Sequence, residues 1–137
     1  MTVSATGILD TNTVILLPRL TDVGALPQVP TITSITLAEL SVGPLVADAD
    51  EERAARQAHL QQAEADFDPI PFDAAAARAF GRVAADLRAA GRKPSARAYD
   101  ALIAAIAISV DLPLHTTNPD DFTGIRGLQV LAVPQPS

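Results

Sequence analysis

The chain has 137 residues, 48% hydrophobic and 19% charged, with a formal net charge of −6. That length suits one domain spanning 1–137 with a real core, and the composition excludes disorder. The acidic balance argues against a stand-alone nucleic-acid binder, which usually shows a basic footprint, and the absence of cysteine excludes disulfides and thiolate metal sites.

In chain order, the residues after Met1 lack a basic head and an apolar stretch of signal-peptide length. Gly7-Ile8-Leu9 predicts a strand, ended by Asp10-Thr11-Asn12 and followed by a short helix through Val14 to Leu17. Pro18 to Pro30 holds three prolines and reads as loop. Thr31-Ile32-Thr33 is β-branched and predicts a second strand, with Ser34 capping a helix over 34–46. Asp50-Glu51-Glu52 opens an amphipathic helix to about Asp66, with acids where the helix dipole favours them. Pro69-Ile70-Pro71-Phe72 is a brief extended piece. Asp73 caps an alanine-rich helix ending near Gly91. Ser95 caps the next helix. Pro113 to Thr116 predicts a strand, Thr117 to Phe122 a loop or turn, and Leu128 to Val133 a last strand.

Strands alternating with helices predict an α/β fold, with a central parallel sheet covered on both faces. No run is long enough to span a bilayer. A soluble cytoplasmic protein without membrane contact is expected.

Asp100 stands out. From Ala98 to Val110 no other side chain is charged. A run apolar on every face reads as a buried helix, and a buried carboxylate needs a compensating partner. Several other chemistry-bearing residues fall at strand ends, where open α/β sheets bind ligands: Asp10 after the first strand, Asn118 and Asp121 after the strand ending at Thr116. Glu39 lies in the first turns of the helix after the second strand. Grouped carboxylates repel one another. A divalent cation such as Mg²⁺ or Mn²⁺ removes that penalty and activates water near a phosphate.

Each residue also has an ordinary role open to it. Asp10 can cap the following helix. Thr36-Leu37-Ala38-Glu39 spells a capping box. Asp100 can pair with Arg97. Asn118-Pro119 is a common turn pair, and Asp120 or Asp121 can cap a helical turn. His59 falls in a polar helix and is expected in solvent, and His115 reads as structural. No His pair has zinc spacing, and no GxxxxGK, GxGxxG or GxSxG pattern occurs. Of the ten basic residues, Arg78, Arg82, Arg88, Arg92, Lys93 and Arg97 lie directly before Asp100. They form either a solvated helix face or a local attractor for phosphates.

Ile8-Leu9-Asp10-Thr11-Asn12, Ser34 to Leu40, Tyr99 to Ala105 and Leu114 to Phe122, in that order, resemble the PIN domain, and within it the VapC-type toxins of bacterial toxin–antitoxin pairs. The resemblance covers nearly the whole chain. It implies a three-layer α/β/α sandwich acting as a metal-dependent endoribonuclease. Asp10, Glu39 and Asp100 would be acidic ligands for Mg²⁺ or Mn²⁺. Asn118 stands where many PIN domains place a fourth acid, with Asp121 as a helper. Thr11 and Asn12 would line the site, and Thr116 would hold the loop. Metal-activated water would attack an RNA phosphodiester, with Arg88, Arg92 and Lys93 steering the RNA. The resemblance also implies a homodimer and a small antitoxin carrying Arg or Lys to meet the acids. Leu16 to Pro30 and the helix from Ser34 to Val46 are the expected groove for it. A non-enzymatic PIN-fold binding module is the rival reading, since an amide at Asn118 lacks the charge. A receiver-type phospho-acceptor fits less well, because Lys93 is the only lysine and it precedes a helix.

Overall fold

The fold is described from a computed structural model covering residues 5–93 and 97–136. Four strands form one sheet: β1 (Thr6–Leu9), β2 (Val29–Thr31), β3 (Leu114–Thr116) and β4 (Val130–Ala132). Their order is β2-β1-β3-β4 and every pair is parallel, with Ile8 opposite both Thr31 and Leu114. The helices are α1 (Thr11–Leu16), α2 (Ser34–Val42), α3 (Asp50–Asp66), α4 (Ala74–Ala89) and α5 (Ala98–Val110).

Side chains alternate across a strand, and β1 uses both faces. Ile8 enters one apolar cluster with Val83 and Leu87 of α4 and Ala101, Ala104 and Ala105 of α5. Leu9 enters a second cluster with Val14, Ile32, Leu40 and Ala63. The sheet is therefore buried on both sides, as a parallel sheet requires. On α4 the buried positions are Ala76, Ala79, Val83 and Leu87, one stripe at helical spacing. Small residues in that stripe and along α5 let the two helices pack closely. Among the described residues no helix is long and apolar enough to cross a membrane.

The extent of α3 and the Asp73 cap of α4 agree with the sequence expectation; the Asp73 side chain accepts from Ala76 N at 3.0 Å. Several boundaries differ: β2 begins at Val29, inside the expected loop, and β4 covers only Val130–Ala132 of the expected strand. The second strand ends two residues early, because Thr33 leaves the sheet to cap α2, its hydroxyl accepting from Thr36 N at 3.3 Å. Ser34 is thus the first residue of α2 and not its cap. Pro30 is tolerated because β2 is an edge strand. Helix α2 stops at Val42, and Gly43–Val46 continues as a 3₁₀ turn, since Pro44 has no N–H to continue the α-helix. The cap expected at Ser95 lies outside the described residues; Arg97 occupies the N-cap position of α5 without a side-chain cap bond.

All strands point the same way, so their carboxyl ends share one edge. Asp10, Thr33 and Thr117 each follow a strand at that edge, and the site is built there.

Candidate active site

Asp10 is the hub. It directly follows β1, is 4% exposed, and caps α1. One carboxylate oxygen accepts from Thr13 N at 3.2 Å and from the Thr13 hydroxyl; the other accepts from the Thr116 hydroxyl at 2.7 Å. Thr13 Oγ1 accepts from Thr117 N at 3.1 Å, and Thr116 Oγ1 accepts from Asn118 N at 3.0 Å. Two threonines thus stitch the end of β3 to Asp10. Burial still raises the Asp10 pKa against these stabilising bonds, with the Asp121 charge adding to the rise. Thr116→Val, nearly the same shape without the hydroxyl, leaves a carboxylate oxygen and the Asn118 amide unmatched. It is expected to cost about 1–3 kcal/mol of stability in chemical denaturation. Unchanged stability would show that these bonds do not hold the site.

Glu39 lies half-buried on α2. The capping box expected for it does not form: Thr33 is the cap, and Glu39 turns to the site instead. Its Oε1 accepts from the Thr11 hydroxyl at 2.6 Å. The Thr11 hydroxyl has one proton, so Thr36 Oγ1, 2.9 Å away, donates to it. Burial raises the Glu39 pKa, and the Asp10 charge adds to the rise.

Asp100 sits in the first turn of α5. It does not pair with Arg97. Arg97 Nη1 reaches across to Asp121 Oδ1 at 2.6 Å. Among the described residues Asp100 accepts no hydrogen bond. Its pKa is pushed up to about 6, by burial first and then by the charges of Asp121, Asp10 and Glu39, with Arg97 opposing. Four carboxylates therefore feel one another at this edge.

Asp121 belongs to that group although it lies in a 3₁₀ turn, Pro119–Phe122. Asn118 stands apart from it. Its Oδ1 accepts from Gln135 Nε2 at 3.1 Å, its amide faces the Thr117 hydroxyl at 3.5 Å, and it bonds none of the four acids. Asn12 is exposed and donates to Thr117 Oγ1 at 3.2 Å.

The basic residues divide. Arg88 and Lys93 are exposed. Arg92 is engaged with backbone carbonyls at Asp120 and Thr123. His115 is buried on β3 and its Nδ1 faces the Ala25 carbonyl at 3.4 Å, while burial lowers its pKa. His59, expected in solvent, is half-buried, its Nε2 bonded to Val14 O at 3.2 Å. It lines two adjoining cavities of about 500 and 440 Å³ between α1 and α3, and the second reaches Thr11 and Glu39.

Sequence reasoning missed Thr13, Thr36 and Gln135. Thr13 was findable, since it sits three residues after a capping Asp. Gln135 carries no local signal.

Hard oxygen donors whose burial and mutual repulsion penalise ionisation fit a divalent cation. Among the described residues no three acidic or histidine side chains are close enough to ligate one ion together. Mg²⁺ does not need that, because it takes one or two carboxylates directly and keeps several waters.

The comparisons agree with this architecture. Residues 8–128 match the PIN domain. The chain is 39% identical over 128 residues to Ribonuclease VapC5 of Mycobacterium tuberculosis, covering 92% of each. It is 36% identical over 101 residues to Ribonuclease VapC8 of the same species, covering 74% of this chain and 89% of that one. The crystal structure of VapBC-5, a member of the VapBC family of toxin–antitoxin systems from Mycobacterium tuberculosis, superimposes with a TM-score of 0.82 at 35% identity, over 95% of this chain and 100% of that one. VapBC2 from Rickettsia felis, bound to a DNA fragment from its promoter, matches with a TM-score of 0.74 at 25% identity, over 91% and 96%. With its parallel sheet and the four acids at one edge of it, the chain belongs to the PIN domain family.

Proposed function

We propose that this chain is the ribonuclease toxin of a toxin–antitoxin pair, cleaving RNA phosphodiesters with the help of Mg²⁺ or Mn²⁺. The observation that carries the metal requirement is Asp100, a carboxylate in the first turn of a buried helix that has no hydrogen-bond donor among the described residues and whose pKa is pushed up to about 6 by burial and by three other acids. A group held in this state is poorly explained as scaffolding. The likeness to Ribonuclease VapC5 over 92% of both chains supports RNA as the substrate.

Of Asp10, Asp100 and Glu39, one or two would hold the cation directly and the others through its waters, with Asp121 as the fourth charge. Bound there, a divalent cation supplies an activated water and stabilises charge on the phosphate. The chain's own residues do the rest. Thr13 and Thr116 fix both oxygens of Asp10, so its orientation does not depend on the substrate. Thr11 holds Glu39 toward the site. Arg97, on Asp121, brings a positive charge beside the acids that would otherwise repel RNA. Thr11 and Asn12 offer polar contacts at the rim. Cleavage by antitoxin-free protein in Mg²⁺, lost in EDTA and regained on adding the metal back, tests the reading. Cleavage that survives EDTA would contradict the metal requirement, and none under any condition would favour the binding-module reading.

Arg88 and Lys93, both exposed, are the residues proposed to steer RNA. Their joint replacement by Ala is expected to raise KM about tenfold at low salt and flatten its salt dependence, as loss of phosphate contacts does. An unchanged salt dependence would assign them to a solvated face.

The antitoxin segment fits the trough formed by the two cavities, which share Ala55 and His59. Leu17 and Pro18 contribute to it, as does the part of α2 at Leu40. The wall opposite α1 is α3, which carries no local signal for such a role. The trough is apolar along Val14, Leu17 and Phe67 and ends on Glu39. An apolar segment with a terminal Arg or Lys has the complementary chemistry. A homodimer, as in the sequence expectation, remains part of the proposal, to be tested by sedimentation.

A further inference from the structure

Arg92 leaves α4 from a rigid base. Gly91 takes φ 76°, its N–H bonds the Arg88 carbonyl at 3.0 Å, and the Arg92 N–H bonds the Leu87 carbonyl at 2.8 Å. This pair of bonds is the glycine-terminated ending of a helix. From there the side chain crosses to the turn at Pro119–Phe122. Its Nη1 donates to the Asp120 carbonyl at 3.1 Å and to the Thr123 carbonyl at 2.8 Å.

A single 3₁₀ turn cannot satisfy its own last carbonyls. Arg92 gives the Asp120 carbonyl a second donor beside the Thr123 N–H and bonds the Thr123 carbonyl just past the turn, with a positive charge at the end where the backbone dipole favours it. Phe122 is buried and fixes where the turn sits, but one anchored ring does not fix which way Asp121 faces. The chain leaving the turn is also pressed against the end of α4: at Gly124, φ 93°, an added Cβ would lie 2.9 Å from the Ala90 Cβ. On the other side, Arg97 holds the Asp121 carboxylate at 2.6 Å. Asp121 is thus gripped behind by Arg92 and in front by Arg97, one arginine at each end of the α4–α5 connection.

We propose that Arg92 is a positioning residue of the active site: by bridging the carbonyls of Asp120 and Thr123 it fixes the turn that sets Asp121 against Asp10 and Asp100. This rests on the metal-dependent ribonuclease reading above. It assigns Arg92 a task different from that of Arg88, whose exposed side chain bonds nothing in the turn.

The test compares full-length wild type, Arg92→Ala, Arg92→Lys and Arg88→Ala. Three quantities are read: Mn²⁺ affinity by calorimetry, kcat and KM on a model RNA, and amide exchange at Asp121 and Thr123, whose N–H groups bond within the turn. Arg92→Ala is expected to weaken Mn²⁺ binding and lower kcat about tenfold each, the range for residues that orient metal ligands. KM should move little and exchange at both amides should quicken. Arg92→Lys should recover part of each loss. Arg88→Ala should raise KM and leave Mn²⁺ affinity alone. The proposal is overturned if Arg92→Ala behaves as Arg88→Ala does, or if exchange in the turn is unchanged. If wild type neither binds Mn²⁺ nor cleaves RNA, the ribonuclease reading fails instead. The exchange data then judge the clasp alone, faster exchange confined to the turn supporting it and unchanged exchange overturning it.

Discussion

Asp10→Ala is expected to abolish RNA cleavage, by about three orders of magnitude, the upper range for removing one group that stabilises transition-state charge. It should also destabilise the protein. The Asp10 carboxylate is 4% exposed and accepts from the Thr13 amide, the Thr13 hydroxyl and the Thr116 hydroxyl. Removing it strands those donors and uncaps α1, at about 1–2 kcal/mol for the cap alone. Relief of repulsion with the other acids offsets part of this loss. Denaturation in EDTA and a cleavage assay in Mg²⁺ read the two effects separately. An Asp10→Ala protein with full activity would remove Asp10 from the chemistry.

Asp100→Asn is expected to remove activity as well, with the opposite effect on metal-free stability. The folded-state pKa of Asp100 is about 6, above its ordinary value of 3.8. Between those values the folded protein binds more protons than the unfolded chain, so stability falls as pH rises through that window. Above about pH 6 the full penalty is present. Asn carries no charge and avoids it, so at neutral pH in EDTA the variant should be more stable by about 1–2 kcal/mol, a figure discounted for the partial exposure of the side chain. The wild-type loss of stability from about pH 4 to 6 should flatten in the variant. His115 acts in the other direction. Its pKa is lowered by burial, so its contribution is present above 6.5 and is lost as pH falls below it. That contribution is common to both proteins and cancels in the difference between them. A melting temperature that drops on Asp100→Asn would mean that Asp100 is a structural partner after all.

The two variants remove the same charge from the same cluster. Their stabilities are expected to diverge because Asp10 is surrounded by donors and Asp100, among the described residues, is not. That contrast separates a site held ready for a cation from a set of unrelated surface acids.

The alternation of strands and helices, the buried character of α5 and the caps at Asp10 and Asp73 were legible in the sequence, because each rests on local patterning. Asp10, Glu39 and Asp100 were also legible as a group, since strand ends and early helix turns in an open α/β sheet share an edge. What was not legible depends on distance in space. Arg97 reads as a partner for Asp100 by helical spacing, yet it bonds Asp121, twenty-four residues away in sequence. Glu39 reads as half of a capping box, yet it is bonded from Thr11, twenty-eight residues before it. Arg92 reads as a free charge and is spent on two carbonyls. Asn118 drew attention as a missing acid, with Asp121 as its helper; the Asp121 charge does act on Asp10 and Asp100, from a turn whose placement only tertiary contacts define.

The central claim is that these carboxylates form a cation site. Calorimetric titration of Mn²⁺ into antitoxin-free protein, with the melting temperature followed across the same concentrations, tests it most directly. The account predicts saturable binding and a melting temperature that rises with Mn²⁺, as linkage requires for a ligand of the folded state, with both lost in Asp10→Ala. No binding heat and no shift in melting temperature for the wild-type protein would contradict it.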